Sequence, residues 1–522
     1  MKKFFIRGVF VILLLIASYT AFGKANKRAE GRPNIVLIMV DDMGYSDIGC
    51  YGGEIETPNL DRLAANGIRY SEFYNTSKCN TSRESLLMGR YVNRVSEHKN
   101  FSSGPTLGEL AQQAGYRTLW AGKNHNSIRP PERGFDRFFG IQGGLSNFFC
   151  PARKTADGRP VPYTGTSVNE WMVHDEWVEL FVPTDPEFYV TDAITDNALL
   201  WLKEYSGEDK PFFLYLAYTA PHAPLQAREQ DIKKYEGRYD VGYQEIRKQR
   251  YKRAVKDGVF NPETAPFHPQ KITQWDSLSP EEKELEADRM EVYAAMIDRV
   301  DQNVGRVLSE LEVRGELDNT LILFMSDNGA NGSRGDEYKD YYTPTGNEQL
   351  GGMFSWEFLG KNWAMVANSP LGYYKKTSHE GGVCSPMIAY WPEGIPLKNG
   401  WVHEPAHLVD IMSTLLDLTD LRYPSEFNGE PAKPNEGISL LPSFRGEPLA
   451  VRKHKIGNDY KFGKMIRDGK WKLVQYKELG WELYDMEKDR TETRDLAEQM
   501  PEKVAAMKQA FSMWEQNCKA GL

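Results

Sequence analysis

Cysteine is scarce in this chain, and the number and spacing of the cysteines exclude two common roles. Five cysteines are spread over 522 residues. An odd number cannot close a complete disulfide framework, and none of them lies in a paired C-x-x-C zinc motif. At least one cysteine is therefore left for another role. The five are Cys50, Cys79, Cys150, Cys384 and Cys518.

The chain also lacks an excess of positive charge, low-complexity tracts and internal repeats. Its formal net charge is -9 at pH 7, which argues against a polyphosphate-binding surface, although a local basic pocket can still hold an anion. We therefore expect no nucleic-acid partner. The dense basic run from Arg247 to Arg253 follows Glu245, and mixed charge of this kind predicts a solvated helix face.

The apolar stretch near the N-terminus is too short to cross a membrane. It covers residues 9–17, whereas a spanning helix needs about 20 apolar residues. Two lysines precede the stretch, and Ala21-Phe22-Gly23 follows it as a small-x-small cleavage pattern. We expect residues 1–23 to be a signal peptide, the mature protein to be periplasmic or secreted, and no stable membrane anchor.

Buried-strand and helix patterns alternate along most of the chain. Residues 34–40, NIVLIMV, form a continuous apolar run that is typical of a strand covered on both faces in a parallel sheet. Alternating strand and helix predicts an α/β sheet flanked by helices, whose ligands gather at the carboxyl ends of its strands. Further strands are predicted at residues 118–121, 212–217, 320–325 and 387–391.

Helix signals lie between several of these strands. Thr57 and Pro58 open one helix, and Thr106 with Glu109 forms the capping box of another. A long helix is predicted before Gly315, where apolar residues recur at three- and four-residue spacing. These residues are Met290, Tyr293, Ile297, Val300, Val304 and Leu308.

The C-terminal part has a different pattern. Short antiparallel strands are predicted at residues 464–467, 471–475 and 481–486. After Pro501 a helix carries apolar residues on one face, which should pack on that small sheet. These residues are Val504, Met507, Phe511 and Trp514.

Chain length indicates more than one domain, because single cores stop growing at roughly 250 to 300 residues. We predict a main domain over residues 32–422, and a linker with a C-terminal α+β subdomain over residues 423–522. Residues 226–280 are predicted to be a polar, partly helical excursion from the main domain.

Two acidic pairs follow strands of the predicted sheet. Asp41 and Asp42 end the first strand, and Asp327 and Asn328 end the fourth. Each pair alone is explained as well by a cap or a turn. Adjacent carboxylates in a buried place, however, repel each other unless a cation holds them ionised. Two such pairs at strand ends favour Mg²⁺ or Ca²⁺ over zinc, since the ligands are oxygens.

Cys79 precedes a run that can form a helix. Arg83 lies one turn further along and faces the same way. A helix N-terminus with an arginine is an anion site, although a lone cysteine in such a place is more often a buried apolar residue. The neighbouring residues must decide between these two interpretations.

The run CNTSRESLLMGR, which begins at Cys79, resembles the signature of type I, formylglycine-dependent sulfatases, C-x-P-S-R followed by T-G-R. Five more elements match in the family's order: IVLIMVDDMG, AGKNH, LAYTAPHAP, LFMSDNG and YKKTSHEGG. The resemblance covers the chain from about Arg32 to the C-terminal unit and is closest to bacterial arylsulfatase-like members. It implies the fold of the alkaline phosphatase superfamily, an α/β fold with a large, mostly parallel sheet flanked by helices. A smaller C-terminal antiparallel β unit with a packed helix completes it.

The resemblance implies hydrolysis of an aryl or carbohydrate sulfate. In this family the cysteine is oxidised to formylglycine. One hydroxyl of the aldehyde hydrate attacks sulfur, and the other later expels sulfate. The implied cofactor is one Ca²⁺ or Mg²⁺ per chain, and the implied partners are a sulfated small molecule or glycan and a formylglycine-generating maturation enzyme. The implied metal ligands are Asp41, Asp42, the modified Cys79, Asp327 and Asn328.

The remaining roles also follow from the resemblance. Arg83, Lys123 and Lys375 would compensate sulfate charge, while His125 would manage the proton of the hydrate and His222 would contact the sulfate or the leaving oxygen.

Two of these assignments also depend on local geometry and spacing. Lys123 and His125 lie two apart on a segment that we expect to be extended, so both can reach one site. Lys375 is preferred to Lys376 because the family places its lysine five residues before the Glu380-Gly381-Gly382 element.

The sequence departs from the family pattern in two places. Thr81 stands where the family usually has proline, which some maturation enzymes read directly. Asn124 and Asn126 replace bulkier and more apolar residues around the G-K-x-H element. Two other functions stay open on this evidence. One is a phosphonate or phosphate ester hydrolase of the same superfamily, and the other is an unmodified protein that binds sulfated glycans.

Overall fold

The computed structural model describes residues 31–93, 100–162, 170–179, 181–335 and 349–519. The predicted signal peptide lies outside these residues. The main sheet has eleven strands within the described chain. They are β1 (Asn34–Val40), β2 (Ile68–Tyr74), β3 (Arg117–Gly122), β4 (Arg137–Ile141), β5 (Glu170–Val173), β6 (Glu176–Glu179), β7 (Phe212–Ala217), β8 (Thr320–Ser326), β9 (Cys384–Tyr390), β10 (Gly400–Val402) and β11 (Ala406–His407).

Helices flank this sheet, and two smaller sheets follow it in the chain. The helices are α1 (Pro58–Ala65), α2 (Cys79–Met88), α3 (Leu107–Gln113), α4 (Val190–Glu204), α5 (Glu229–Ile232), α6 (Gly242–Lys256), α7 (Pro280–Val313), α8 (Gly360–Ala367), α9 (Glu380–Val383), α10 (Asp410–Thr419), α11 (Leu441–Phe444) and α12 (Pro501–Lys519). The later strands are β12 (Glu426–Phe427), β13 (Glu430–Pro431), β14 (Ile456–Tyr460), β15 (Gly463–Asp468), β16 (Trp471–Tyr476) and β17 (Trp481–Asp485).

Strand β1 lies at the centre of the main sheet and runs parallel to both of its neighbours, β7 and β8. Strands β3 and β4 continue the parallel order beyond β7. Alternate residues of β1 face two cores: Val36 and Ile38 pack with α4 and α7, and Ile35 and Leu37 pack with α3 and α10. The predicted α/β fold is confirmed, because the apolar run of β1 is buried on both faces.

Strand β2 was not predicted, and its polar residues explain why. Its sequence, IRYSEFY, is buried along its whole length between β9, which is antiparallel to it, and the short strands β10 and β11. Arg69 donates to the carbonyl oxygen of Cys50 at 2.8 Å, and Glu72 forms ion pairs with Arg467 and Arg490. These partners are distant in sequence, so a local pattern cannot show that the polar side chains are buried.

The predicted helices and the C-terminal sheet are confirmed. The backbone N–H of Glu109 donates to Thr106 Oγ1 at 3.1 Å, as a capping box requires. All six apolar residues predicted for the long helix are buried in α7. Strands β14 to β17 form an antiparallel sheet in chain order, and α12 buries Met507, Phe511 and Trp514. The residue boundaries proposed for the domains stay a prediction.

Two expectations about the segment after β7 need correction. Residues 226–280 do not form an excursion, because Tyr235, Tyr243 and Ile246 lie in the main core. The basic run is a solvated helix face only in part, since Lys248 and Lys252 are exposed whereas Arg250 on α6 is fully buried. Its guanidinium donates to Asp47 at 2.6 Å and to both carboxylate oxygens of Glu54 at 2.7 and 2.8 Å. The burial follows from ion pairing with carboxylates about 200 residues away.

No helix in the described part of the chain is both long enough and apolar enough to cross a membrane.

Arg250→Met should destabilise the protein by about 3–5 kcal/mol, because it leaves the buried carboxylates of Asp47 and Glu54 without their cation. Lys248→Met removes the same charge from the exposed face of α6 and should change stability by no more than about 0.5 kcal/mol. Urea unfolding of both variants measures the difference. Equal effects would mean that the buried ion pairs of Arg250 contribute nothing specific.

Candidate active site

The two acidic pairs meet at the carboxyl edge of the main sheet. Strands β1 and β8 are paired in register up to Val40 and Ser326, so the residues that follow them lie side by side. The backbone N–H of Asp42 donates to Asp327 Oδ1 at 3.3 Å, and Asn328 Nδ2 donates to Asp42 Oδ1 at 2.7 Å. The predicted convergence of the two pairs is therefore what the structure shows.

Several oxygens at this edge are buried without a hydrogen-bond partner among the described residues. They belong to different side chains and include Asp41 Oδ1, Asp42 Oδ2 and Asn328 Oδ1. Buried polar atoms in native proteins are nearly always satisfied by a protein group, a water or an ion. Three oxygens of this kind suit a hard divalent cation, so the residues present fit the metal that the sequence implies.

His222 adds a nitrogen to this group. Its Nδ1 hydrogen-bonds the carbonyl oxygen of Ala223 at 2.7 Å, and its Nε2 lies 3.5 Å from Asp42 Oδ2. Asp41, Asp42 and His222 offer ligand atoms that all lie within 4.8 Å of one another. The family resemblance implied that His222 contacts the sulfate or the leaving oxygen, whereas the structure also places it among side chains that can hold a metal.

The electrostatics of Asp327 also favour a cation. Burial raises the pKa of Asp327 well above its ordinary value, the charge of Asp41 raises it further, and Arg83 opposes both effects. A divalent cation between these carboxylates would favour their ionised forms.

Cys79 is the first residue of α2 and is fully buried. Burial alone would raise the pKa of its thiol. The nearby ammonium groups of Lys123, Lys375 and Lys78 outweigh this effect and hold the pKa well below its usual range. The Sγ atom of Cys79 therefore marks the centre of a positively charged pocket beside the acidic edge.

Three predicted cations surround this pocket, and each is paired with a carboxylate of the edge. Arg83 Nε and Nη2 donate to Asp327 Oδ2 at 3.0 and 2.9 Å. Lys123 Nζ forms an ion pair with Asp41, and Lys375 Nζ forms one with Asp42. All three side chains are essentially inaccessible to solvent, so their charges act within the site and not on the protein surface.

The choice between the two adjacent lysines is resolved by position. Lys375 contacts Asp42, as above, while Lys376 Nζ lies 3.4 Å from Ser333 Oγ. Lys376 also has a left-handed backbone, with φ at 70°, and this local turn separates the directions of the two side chains.

His125 reaches Cys79, but for a different reason from the one expected. The segment is not simply extended, since His125 has a left-handed backbone with φ at 54°. Its ring nevertheless contacts the Cys79 thiol, and burial together with Lys123 lowers its pKa to about 3. Gly144 backs the ring, because any side chain at position 144 would come within 2.4 Å of it. Gly144 and Lys78, which donates to Cys79 Sγ at 3.2 Å, were missed by the sequence analysis.

Thr81, Asn124 and Asn126, the residues that differ from the family pattern, form local hydrogen bonds. Thr81 lies in the first turn of α2, where its hydroxyl hydrogen-bonds Thr76 Oγ1 at 2.6 Å and the carbonyl oxygen of Lys78 at 3.1 Å. Asn124 donates to the carbonyl oxygen of Ile128 at 2.6 Å. Asn126 in turn donates to the carbonyl oxygen of Asn124 at 3.1 Å. These side chains hold the two loops around Cys79 and His125.

The C-terminal sheet braces the same two loops. Asn458 on β14 donates to Ser77 Oγ at 3.0 Å and to Ser378 Oγ at 2.8 Å. Ser77 precedes Cys79 by two residues, and Ser378 follows Lys375 by three. One amide therefore ties together the segments that carry the buried cysteine and the buried lysine.

A buried charge network continues this contact. Lys472 on β16 donates to Glu380 Oε1 at 2.6 Å and lies 2.7 Å from Glu492 Oε1. Burial raises the pKa of Glu380, but Arg490 and Lys472 outweigh it and hold the pKa at about 2. The C-terminal unit is thus bound to the start of α9 through ionised groups that are buried from solvent.

The fold and the residues gathered at this edge are those expected of a sulfatase. The chain belongs to the sulfatase family, since the family model described as Sulfatase matches residues 33–421. A second model, described as N-sulphoglucosamine sulphohydrolase, C-terminal, matches residues 371–517. The expectation of a sulfuric ester hydrolase is confirmed.

Two relatives show the same family by sequence. An uncharacterized sulfatase of Schizosaccharomyces pombe is 33% identical over 525 residues, which cover 91% of this chain and 92% of the relative. The arylsulfatase of Klebsiella aerogenes is 32% identical over 80% of this chain and 93% of its own.

Two solved structures share the fold. Ps i-CgsB in complex with k-i-k-neocarrahexaose has a TM-score of 0.65 at 24% identity, over 93% of both chains. BT4656 in complex with its substrate D-glucosamine-2-N,6-O-disulfate has a TM-score of 0.62 at 21% identity, over 94% of this chain and 99% of its own.

Lys472→Met should lower the free energy of unfolding by about 3–5 kcal/mol at neutral pH, because it leaves two buried carboxylates facing each other. The pKa of Glu380 in the folded protein lies below its ordinary value of 4.5. Its contribution to stability is therefore complete above that value and is lost as the pH falls towards 2. The effect of Lys472→Met should accordingly shrink over this window.

Urea unfolding between neutral and acidic pH measures this effect. Lys464→Met, at an exposed position on β15, is the control for loss of one positive charge. A destabilisation by Lys472→Met that does not change with pH would contradict the role given to ionised Glu380.

Proposed function

We propose that this chain hydrolyses a sulfate ester of an aryl or sugar alcohol, using a formylglycine made from Cys79 and one divalent cation. The observation that carries the proposal is the convergence on Cys79 of Arg83, Lys123 and Lys375 beside an acidic edge with unpartnered oxygens. The named activity of the Klebsiella arylsulfatase supports an aryl sulfate. The sulfated sugar held by BT4656 supports a carbohydrate sulfate.

The proposed cation would be held by Asp41, Asp42, Asp327 and Asn328, together with the modified side chain of residue 79. Oxygen ligands favour Ca²⁺ or Mg²⁺. When bound, such an ion lowers the pKa of a coordinated hydroxyl and screens an anionic substrate from its nucleophile.

The modified side chain would occupy the place of the Cys79 thiol. A formylglycine supplies a hydrated aldehyde with two hydroxyls, whereas a thiol that had accepted sulfate would have no internal route for expelling it. The surroundings of Sγ suit an oxygen atom, since Lys78 Nζ donates to Sγ and the charges of Lys123 and Lys375 lie nearby.

The chain's own side chains have separate tasks in this proposal. Arg83, Lys123 and Lys375 lower the energy of the negatively charged sulfate and of the charge that develops as its ester bond breaks. Burial lowers the pKa of His125 to about 3, so its ring is uncharged at neutral pH and can accept a hydrogen bond from a hydroxyl at residue 79. His222 keeps Nε2 directed at the acidic edge because its Nδ1 is bonded to a backbone carbonyl.

The cellular part of the proposal comes from the sequence. Residues 1–23 would direct export, and the mature enzyme would act in the periplasm or outside the cell. A formylglycine-generating enzyme must meet the chain at Cys79 before α2 is buried, since the folded protein gives solvent no access to this residue.

Hydrolysis of an aryl sulfate, compared with matched aryl phosphate and phosphonate esters, tests the proposed reaction. We expect the sulfate to be preferred by at least tenfold in kcat/KM. Activity per molecule should scale with the fraction of residue 79 that peptide mass spectrometry identifies as formylglycine.

Cys79→Ala is the matched control, and we expect it to fold but to show no turnover. Preference for the phosphate or phosphonate ester would favour the other hydrolase. Native protein that is unconverted, and inactive on every sulfate ester, would favour a sulfated-glycan-binding protein.

A further inference from the structure

Lys78, immediately before Cys79, has no role in the motifs that define the site. Its backbone is extended, with φ at -150° and ψ at 136°, at the residue that caps the start of α2. Its side chain turns back over the next residue, and Nζ donates to Cys79 Sγ at 3.2 Å. The ammonium therefore lies against the atom from which the reactive group is made.

Lys78 differs from the other cations of the site in its partners. Arg83, Lys123 and Lys375 each form an ion pair with a buried carboxylate. Among the residues that the structure describes, no carboxylate pairs with Lys78, and its ammonium donates to Cys79 Sγ. The positive charge of Lys78 is thus not offset by an ion pair.

Lys78 also differs in accessibility. The three paired cations are buried, whereas Lys78 is partly exposed to solvent. The ammonium of Lys78 therefore belongs to a side chain that is partly exposed to solvent and also contacts residue 79. A charge-assisted hydrogen bond from Lys78 could therefore be made both to the sulfate group of a substrate and to the side chain of residue 79.

We propose that Lys78 is a further catalytic residue, whose ammonium contacts the oxygen borne by residue 79 and binds the sulfate group from its solvent-facing side. This inference rests on the proposed function. The Cys79 Sγ atom stands in for that oxygen, because both are attached to the same Cβ.

Charge accounting supports a separate task for Lys78. Each of the three buried cations is paired with one carboxylate, of Asp41, Asp42 or Asp327, at the edge where the proposed divalent cation would also bind. Lys78 adds one positive charge that a singly charged sulfate ester can pair with directly. Its loss should therefore weaken both substrate binding and the step that follows.

The kinetic test uses the full-length, converted enzyme with Lys78→Met and Lys78→Arg. Methionine keeps the stem but loses the ammonium. We expect kcat/KM for an aryl sulfate, per molecule of formylglycine, to fall by about 10- to 100-fold, the usual effect of losing a hydrogen bond to a charged group. Arginine keeps the charge and should recover most of this loss. The exposed Lys464→Met is the charge-matched control and should retain wild-type kinetics.

A second readout does not depend on turnover. Sodium sulfate should raise the Tm of the wild type and of Lys464→Met by more than sodium chloride of equal ionic strength does, and by more than it raises the Tm of Lys78→Met. Comparing variants removes the general stabilisation that sulfate gives to all proteins. A wild-type protein with a Lys78-dependent sulfate effect but no ester hydrolysis would support the contact and refute the proposed reaction.

Two results would overturn the inference. One is a Lys78→Met enzyme whose kcat/KM, per molecule of formylglycine, stays within twofold of wild type. That result would limit Lys78 to maturation or local structure even if less Cys79 were converted. The other is a sulfate effect on Tm that is equal in the wild type and in Lys78→Met.

Discussion

The structure depends on one constraint: three carboxylates at the carboxyl edge of a buried parallel sheet must be compensated. Asp41, Asp42 and Asp327 lie where β1 and β8 end, out of contact with water. Ionised groups in such a place are strongly destabilising unless cations or hydrogen-bond donors face them. Arg83, Lys123 and Lys375 supply part of that compensation, and a divalent cation suits the oxygens that are left. The positive charges that compensate these carboxylates are also the ones that can stabilise a negatively charged sulfate ester.

In the C-terminal unit, too, buried polar and charged groups are paired with partners in the main domain. The sheet of this unit supplies Asn458 to the two loops and Lys472 to Glu380, and each contact is buried. The unit is therefore a structural part of the site. Its charges and amides fix the segments that carry Cys79 and Lys375, since leaving any of these partners unpaired in the interior would destabilise the fold.

The sequence allowed the fold and most of the site to be predicted, because the signals involved are local. The bounds of β1 and β7 follow from unbroken apolar runs, and the acidic pairs mark the strand ends. The features that were missed depend on distant partners. Arg250 is buried because it pairs with carboxylates that are distant in sequence, and the polar side chains of β2 are buried for the same reason. His125 reaches Cys79 through a left-handed turn, which leaves no periodic pattern in the sequence.

Metal analysis of the purified, full-length protein tests the central constraint most directly. We expect elemental analysis to find about one Ca²⁺ or Mg²⁺ per chain, and both metal and ester hydrolysis to be lost after exhaustive EDTA treatment. Activity should return when the same ion is added back. Asp327→Ala should lose metal and rate together. Full turnover by protein in which elemental analysis finds no metal would contradict the account.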